Sequence, residues 1–184
     1  MLFIIELTNW DGILNAQYPN PYISKNAINK MSEYVYNPIQ LVQPNQQVAL
    51  NTTIGCNKGY VFHRNGSGIV TLRGAVNNPT SCFARYQVTF NGNIALPEDT
   101  TTVTPISVAL AIDGEPIPTS TAIYTPADAG EYGNVTSTAI VTVPKCCCFN
   151  VSVENTSAVP TTPAGANAPA INVQNANLTV ARIA

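Results

Sequence analysis

Pro105-Ile106-Ser107-Val108-Ala109-Leu110-Ala111-Ile112-Asp113-Gly114 is the stretch that decides the fold class. Ile106, Val108, Leu110 and Ile112 fall on one face of a period-two strand, with Ser107, Ala109 and Ala111 on the other. Asp113-Gly114 supplies the positive φ that a two-residue hairpin needs. The same rhythm continues on both sides. Val48 to Thr53 alternates, and Gly59 to His63 precedes the turn Asn65-Gly66-Ser67-Gly68, after which Ile69 to Leu72 returns. Arg85 to Phe90 points Tyr86, Val88 and Phe90 inward and stops at Asn91-Gly92. Thr119 to Tyr124 answers the hairpin. Asn134 to Val143 sets Val135, Ala139, Val141 and Val143 against a face of threonines. Phe149, Val151 and Val153 alternate with Asn150, Ser152 and Glu154. Ala158 to Pro169 holds three prolines and cannot pair as a strand. Ile171 to Gln174 and Leu178 to Ile183 close the chain. Eight to ten strands spaced by turn signals describe an all-β, two-sheet antiparallel jelly-roll sandwich, with an immunoglobulin-like sandwich as the alternative.

Residues 1–45 read differently, as an N-terminal extended arm ahead of a jelly-roll domain at 46–184. Leu2 to Leu7 has the pattern of an isolated strand, and Tyr18-Pro19-Asn20-Pro21-Tyr22 is stiffened by proline. Ser24 suits the N-cap of a short helix whose apolar positions Ala27, Ile28, Met31 and Val35 share one face, ended by Asn37-Pro38. The arm holds the only Trp and four of the eight Tyr. Leaving Leu2, Phe3, Ile4, Trp10, Tyr18 and Tyr22 in water forgoes roughly 1.5–3 kcal/mol for each large apolar side chain. Those six residues are therefore the expected anchors on a sister subunit, a larger partner or the sandwich itself.

Composition narrows the function. Charged residues make up 10% of the 184 residues, against about 25% in ordinary domains, and the formal net charge is −2. No basic patch exists to collect phosphates, so no nucleic-acid partner is expected. Sparse charge also leaves a free monomer poorly protected against association, which favours an assembly. The apolar run Leu2-Phe3-Ile4-Ile5 is too short to span a membrane or to form a signal-peptide core, and Glu6 follows it directly. No membrane partner and no export by the general route are expected.

The order of these elements resembles the C1q/TNF-like trimeric jelly rolls, especially bacterial and bacteriophage versions. The likeness rests on the Ile106–Ile112 strand, the hairpin Asp113-Gly114-Glu115-Pro116-Ile117-Pro118, then Ile140-Val141-Thr142-Val143-Pro144. It continues through Phe149 to Asn155 and the closing Leu178-Thr179-Val180-Ala181-Arg182-Ile183-Ala184. The resemblance covers about 46–184 and implies a homotrimer with one sheet around the threefold axis and the terminal strand near its centre. Tyr86, Val108, Leu110, Phe149, Val151, Val153, Leu178 and Val180 would then form the core or trimer sheet. The segments Leu7-Thr8-Asn9-Trp10-Asp11-Gly12 and Asn20-Pro21-Tyr22-Ile23 look similar to leaders of phage head proteins. A collagen-like stalk is missing. The resemblance therefore implies a structural decoration protein, docked by its arm on the major capsid protein of a virion and assembled in the bacterial cytoplasm. A receptor- or carbohydrate-binding tip of a phage tail or fibre, meeting a host-surface glycan through loops 158–169 and 126–133, is the alternative.

Candidate chemistries are few. Cys56, Cys82 and the run Cys146-Cys147-Cys148 lack the paired spacing of a zinc site. Neighbours in a strand face opposite ways, so three consecutive thiols cannot all converge on one ion. Buried small apolar residues or reduced thiols are expected, with a disulfide from Cys56 or Cys82 to the triplet as the alternative. Glu98-Asp99, Asp113 with Glu115, and Asp128 with Glu131 each lie in a polar turn, where solvation accounts for them and a calcium site is the competing reading. His63 has no recognisable nucleophile motif beside it. No catalytic residue, metal or cofactor is expected.

Overall fold

A computed structural model describes residues 31–54, 59–75, 81–160 and 167–184. The anchors Leu2, Phe3, Ile4, Trp10, Tyr18 and Tyr22, with Cys56 and the Asn77-Asn78-Pro79 loop, lie outside the described residues. Twelve strands follow in chain order: β1 (Met31–Tyr36), β2 (Gln40–Val42), β3 (Thr52–Ile54), β4 (Val61–His63), β5 (Val70–Arg73), β6 (Phe83–Ala95), β7 (Ile106–Ile112), β8 (Glu115–Pro116), β9 (Ala122–Tyr124), β10 (Gly133–Pro144), β11 (Cys148–Asn155) and β12 (Ile171–Arg182). A 3-10 turn, Pro118–Ser120, sits between β8 and β9.

All pairings are antiparallel. The front sheet runs β10-β6-β12-β1-β3, with β2 also on β12, and the back sheet runs β4-β5-β11-β7-β8, with β9 also on β7. Both sheets bury the apolar half of an alternating pattern between them. Tyr34, Tyr86, Val88, Phe90, Leu178 and Val180 come from the front, and Val70, Leu72, Val108, Leu110, Val151 and Val153 from the back. The residues expected as core or trimer sheet are therefore core, with Phe149 packed at its margin. All but Phe149 are buried within one subunit.

The hairpin read from Asp113-Gly114 is present, with φ of 51° and 84° and Ile112 paired to Glu115. Strand β7 differs from a half-buried strand, because Ser107, Ala109 and Ala111 are buried as well. Small side chains there let segments close over the sheet. The Ser107 amide donates to Ser157 Oγ at 3.0 Å and the Leu110 amide to Ser120 Oγ at 3.0 Å.

Four expectations need correction. Met31–Tyr36, expected as the end of a helix, is β1, paired with β12 from Met31↔Ala181 to Tyr36↔Ala176; Ser24, Ala27 and Ile28 lie outside the described residues. Period two fits better than 3.6 here: Ser32 and Tyr34 are buried, while Met31, Glu33 and Val35 face out. Partnership with a strand 140 residues away in sequence was invisible to a local reading. The boundary at 45/46 shifts for the same reason, since β1 and β2 are front-sheet strands. Asn91-Gly92, read as a turn, lies inside the 13-residue β6. The Phe90 ring underlies Gly92, where a Cβ would come within 2.8 Å of Cζ. The break between Gln174 and Leu178 is a bulge at Asn175, φ 53°, inside one continuous strand.

Asn155, fully buried at the end of β11, ties the layers together. Its Nδ2 donates to the Val42 and Pro169 carbonyls at 3.0 Å each, and its Oδ1 accepts from the Ser157 amide at 3.0 Å. One side chain thus links the back sheet to β2 and to the entry of β12.

Because β1 and β2 belong to the sheet, the site of an N-terminal cut matters. Removing residues 1–30 is expected to leave a cooperatively folded sandwich. Removing 1–40 also deletes Tyr34 and the partner of β12, and losing one such aromatic alone costs about 3–5 kcal/mol. Denaturant unfolding of both truncations checks this, and a folded 41–184 protein would contradict it.

Candidate interaction surfaces

The outward face of the front sheet is assembled row by row through the strand register. Thr138, Thr89, Thr179 and Glu33 form one row across β10, β6, β12 and β1, and Thr136, Asn91, Asn177 and Val35 form the next. On the other side of the threonine row, Ile140, Gln87, Ala181 and Met31 make a third. Threonine suits these positions because a β-branched side chain fits a pleated surface.

The polar groups on this face bond to one another. Asn91 Nδ2 donates to Thr136 Oγ1 at 2.8 Å and Asn134 Nδ2 to Asn93 Oδ1 at 3.0 Å. Thr138 Oγ1 donates to Thr89 Oγ1 at 3.2 Å, and Thr179 Oγ1 to Asn177 Oδ1 at 3.1 Å. Glu33 accepts from the Asn177 amide. Met31 (59% exposed), Ile140 (49%) and Ile183 (52%) add apolar area at the edge of the same surface. Polar groups satisfied within one copy can be covered by another at small desolvation cost. The three rows hold one charged side chain, Glu33.

His63, Asp113 and Glu131 make structural contacts. His63 is buried against Tyr34, ring centroids 4.7 Å apart, with Nε2 2.9 Å from the Ser67 carbonyl and Nδ1 3.3 Å from Thr53 Oγ1. Asp113 Oδ1 accepts from the Asn150 amide at 3.0 Å, and Glu131 Oε2 accepts from the Ala127 amide at 2.7 Å. These acids close turns. Among the described residues no group of three or more His, Cys, Asp or Glu side chains could hold a metal ion. No helix there is long and apolar enough to cross a membrane.

The cysteines were expected to be buried small apolar residues or reduced thiols; Cys82, Cys146, Cys147 and Cys148 are free, and they are exposed rather than buried. The turn that carries the triplet ends the long β10, so its side chains project past the core. A cleft of about 470 Å³ opens at one end of the sandwich, lined by Leu41, Asp99, Thr100, Thr104, Asn167 and Pro169 among others. The Thr104 hydroxyl is buried there without a partner. The sequence does not show it, because the β6–β7 loop meets Pro160, Asn167 and Pro169 only in three dimensions.

No protein-family model and no curated protein matches the chain. Solved structures do. The globular domain of zebrafish complement 1qA protein aligns with a TM-score of 0.54 at 13% identity, covering 85% of this chain and 98% of that one. Eiger TNF from S. frugiperda aligns at 0.56 with 10% identity, covering 84% and 92%. Murine APRIL aligns at 0.52 with 12% identity, covering 84% and 100%. At such identities the likeness establishes the fold alone: a C1q/TNF-like jelly roll.

Beside this framework lies a tyrosine cluster. Tyr86 Oη donates to the Arg73 carbonyl, and the Arg182 guanidinium stacks 3.8 Å over the Tyr60 ring. Burial first of all pushes the Tyr86 hydroxyl up to about 12, partly opposed by Arg182. Such a hydroxyl stays a donor and is no base near neutrality. The folded state therefore holds the Tyr86 proton more tightly than the unfolded chain, whose tyrosine titrates near 10. Its contribution is complete below pH 10 and is lost as pH climbs toward 12. Tyr86→Phe is expected to flatten that alkaline decline and to lower neutral-pH stability by about 1–3 kcal/mol, the cost of an orphaned carbonyl. Urea melts at pH 8 to 11.5 measure both, and an unchanged pH slope would refute the assignment.

Proposed function

We propose that the chain is a non-catalytic structural protein that forms a homotrimer, and that it decorates a bacteriophage capsid through its N-terminal arm. The observation that carries the trimer is the front face, continuous across four strands and internally hydrogen-bonded, whose charged side chains are Glu33 and the exposed Arg85 in the next row. Terminal strand β12 runs through the middle of that sheet, which agrees with a C1q/TNF-like assembly in which the last strand lies nearest the axis. The fold supports this reading, as do the satisfied turn acids and histidine, which leave no reactive constellation among the described residues. The arm reading rests on the six large apolar residues named from the sequence. Three arms on one trimer would bind together, the second and third at high effective concentration, so weak contacts sum to lasting attachment.

Thr89 lies in the threonine row on β6. Thr89→Arg is expected to convert the trimer to monomers without altering the β-sheet circular dichroism, since the residue faces out. Light scattering on wild type and variant checks this, and a wild-type monomer would remove the assembly. For the location, immunogold labelling should place the chain over capsid surfaces. The 31–184 truncation should remain trimeric yet no longer coat particles. Gold confined to tail tips, or a truncation that still coats, would reject the tether.

The cleft favours a second reading, a tip protein that binds a host glycan, because Thr100, Thr104, Asp99 and Asn167 offer hydroxyl, carboxylate and amide groups together. Among the described residues its lining contains no aromatic ring for a sugar to stack on. A glycan array is expected to be blank under the decoration reading; a hit abolished by Thr104→Val would favour the tip.

A further inference from the structure

Four of the five cysteines are exposed and unpaired, although cysteine ranks among the residue types most often fully buried. They gather at the turn joining β10 to β11. The Lys145 amide donates to the Cys82 carbonyl at 2.9 Å, which sets Cys82, just before β6, opposite the residue preceding the triplet. The Cys147 amide donates to the Pro144 carbonyl at 3.1 Å, closing the turn, and the Gly74 amide donates to the Cys147 carbonyl at 2.8 Å. A Cβ on Gly74 would stand 1.9 Å from the Pro144 oxygen, so the turn backbone is pinned against the end of β5. The side chains are therefore presented from a fixed frame.

Nothing in the packing asks for sulfur here. Cys146 has φ 62°, the left-handed region where a turn ordinarily takes glycine or asparagine. Its side chain is exposed, so no apolar contact offsets the strain. Cationic residues border the cluster: Lys145 precedes the triplet and Arg73 is the register partner of Cys148. Exposed thiols in electropositive surroundings are those that exchange with disulfides.

We propose that this turn is a thiol–disulfide exchange site that joins two copies of the chain covalently. Bridging between adjacent members of the triplet is opposed by geometry. Consecutive Cα atoms stand about 3.8 Å apart, closer than the roughly 4.4–6.8 Å that disulfides span. A second copy brings the same four thiols to the same kind of exposed corner. The co-reactant is a low-molecular-weight disulfide such as glutathione disulfide, whose carboxylates suit the cationic border. A thiolate of the turn attacks one of its sulfurs, forming a mixed disulfide and releasing one glutathione thiolate. A thiolate from the second copy then attacks the protein sulfur of that mixed disulfide. The interchain bond forms and the second glutathione leaves. Two protein thiols are oxidised and one disulfide is reduced to two thiols, so electrons balance. The thiols would stay reduced in a cytosol and exchange outside it.

The test uses the full chain, reduced and then equilibrated in glutathione buffers of increasing oxidised fraction, followed by non-reducing gels and peptide mapping. Covalent dimers bridged between the two chains through Cys82, Cys146, Cys147 or Cys148 are the expected result. Combining Cys82→Ser, Cys146→Gly, Cys147→Ser and Cys148→Ser should abolish them, whereas Cys56→Ser should not. Glycine is chosen at 146 because it fits the positive φ and so preserves the turn. Should the combined variant fail to fold, the mapped bridges of the wild-type chain decide alone. Bridges confined to one chain, bridges through Cys56, or glutathione adducts without cross-links would each overturn the proposal.

Discussion

Strand β12 enters the molecule last and occupies the middle of the front sheet, hydrogen-bonded to β6 on one side and to β1 and β2 on the other. Every other feature of that sheet depends on this insertion. Without it, β1 and β3 have no route to β6, and Leu178 and Val180 leave the core open opposite Val88 and Phe90. The strand also bends: the bulge at Asn175 lets Ile171 and Val173 serve one part of the core and Ala176, Leu178 and Val180 another. Such pairing closes long loops before any contact rewards it, so this fold is expected among slowly forming topologies.

Asn155 shows how the same insertion is held. The fully buried Asn155 side chain donates to the carbonyls of Val42 in β2 and of Pro169 just before β12 and accepts from the Ser157 amide, so backbone polar groups of three segments share one partner. The 3-10 turn does comparable work on the opposite flank. Ser120 Oγ meets the Leu110 amide while Ser137 donates to the Ser120 carbonyl, so edge strand β10 is stitched to the back sheet. Small polar residues therefore seal both flanks, and this is why a chain so rich in Ser, Thr and Asn can still enclose an apolar core.

The legible part of this fold was the part encoded by nearest neighbours. Alternation and the Asp113-Gly114 hairpin revealed β7, β10 and β11, because side-chain direction in a strand depends only on the pleat. What stayed hidden depends on distant partners. Met31–Tyr36 has apolar spacing compatible with a helix, and only its partner strand β12 makes it β. Gly92 looked like a stop until the Phe90 ring beneath it was visible. Asn175-Ala176-Asn177 looked like a break, yet a bulge keeps the strand continuous. The surfaces fared similarly: the threonine face of β10 was readable, but its continuation across β6 and β12 required the register. The exposed cysteines ran against the general burial of that residue, and nothing in their local sequence announced a projecting turn.

A threefold ring also imposes a requirement that one face cannot meet. Copies related by a threefold axis touch through two different surfaces each, whereas a self-complementary patch closes a twofold dimer. In the proposed trimer the front face supplies one of the two. The flank where β3 meets β4 borders it and exposes Ile54, Tyr60 and Phe62. Thr53 of β3 contacts His63 of β4 across that flank, which keeps its two edges together. An edge strand with little charge is ordinarily a liability, because its free amides and carbonyls invite pairing with any passing chain. Covering that flank with the face of the next copy removes the liability and gives each exposed ring an apolar contact. The scarcity of charge, a weakness in an isolated subunit, is then what the assembled ring requires.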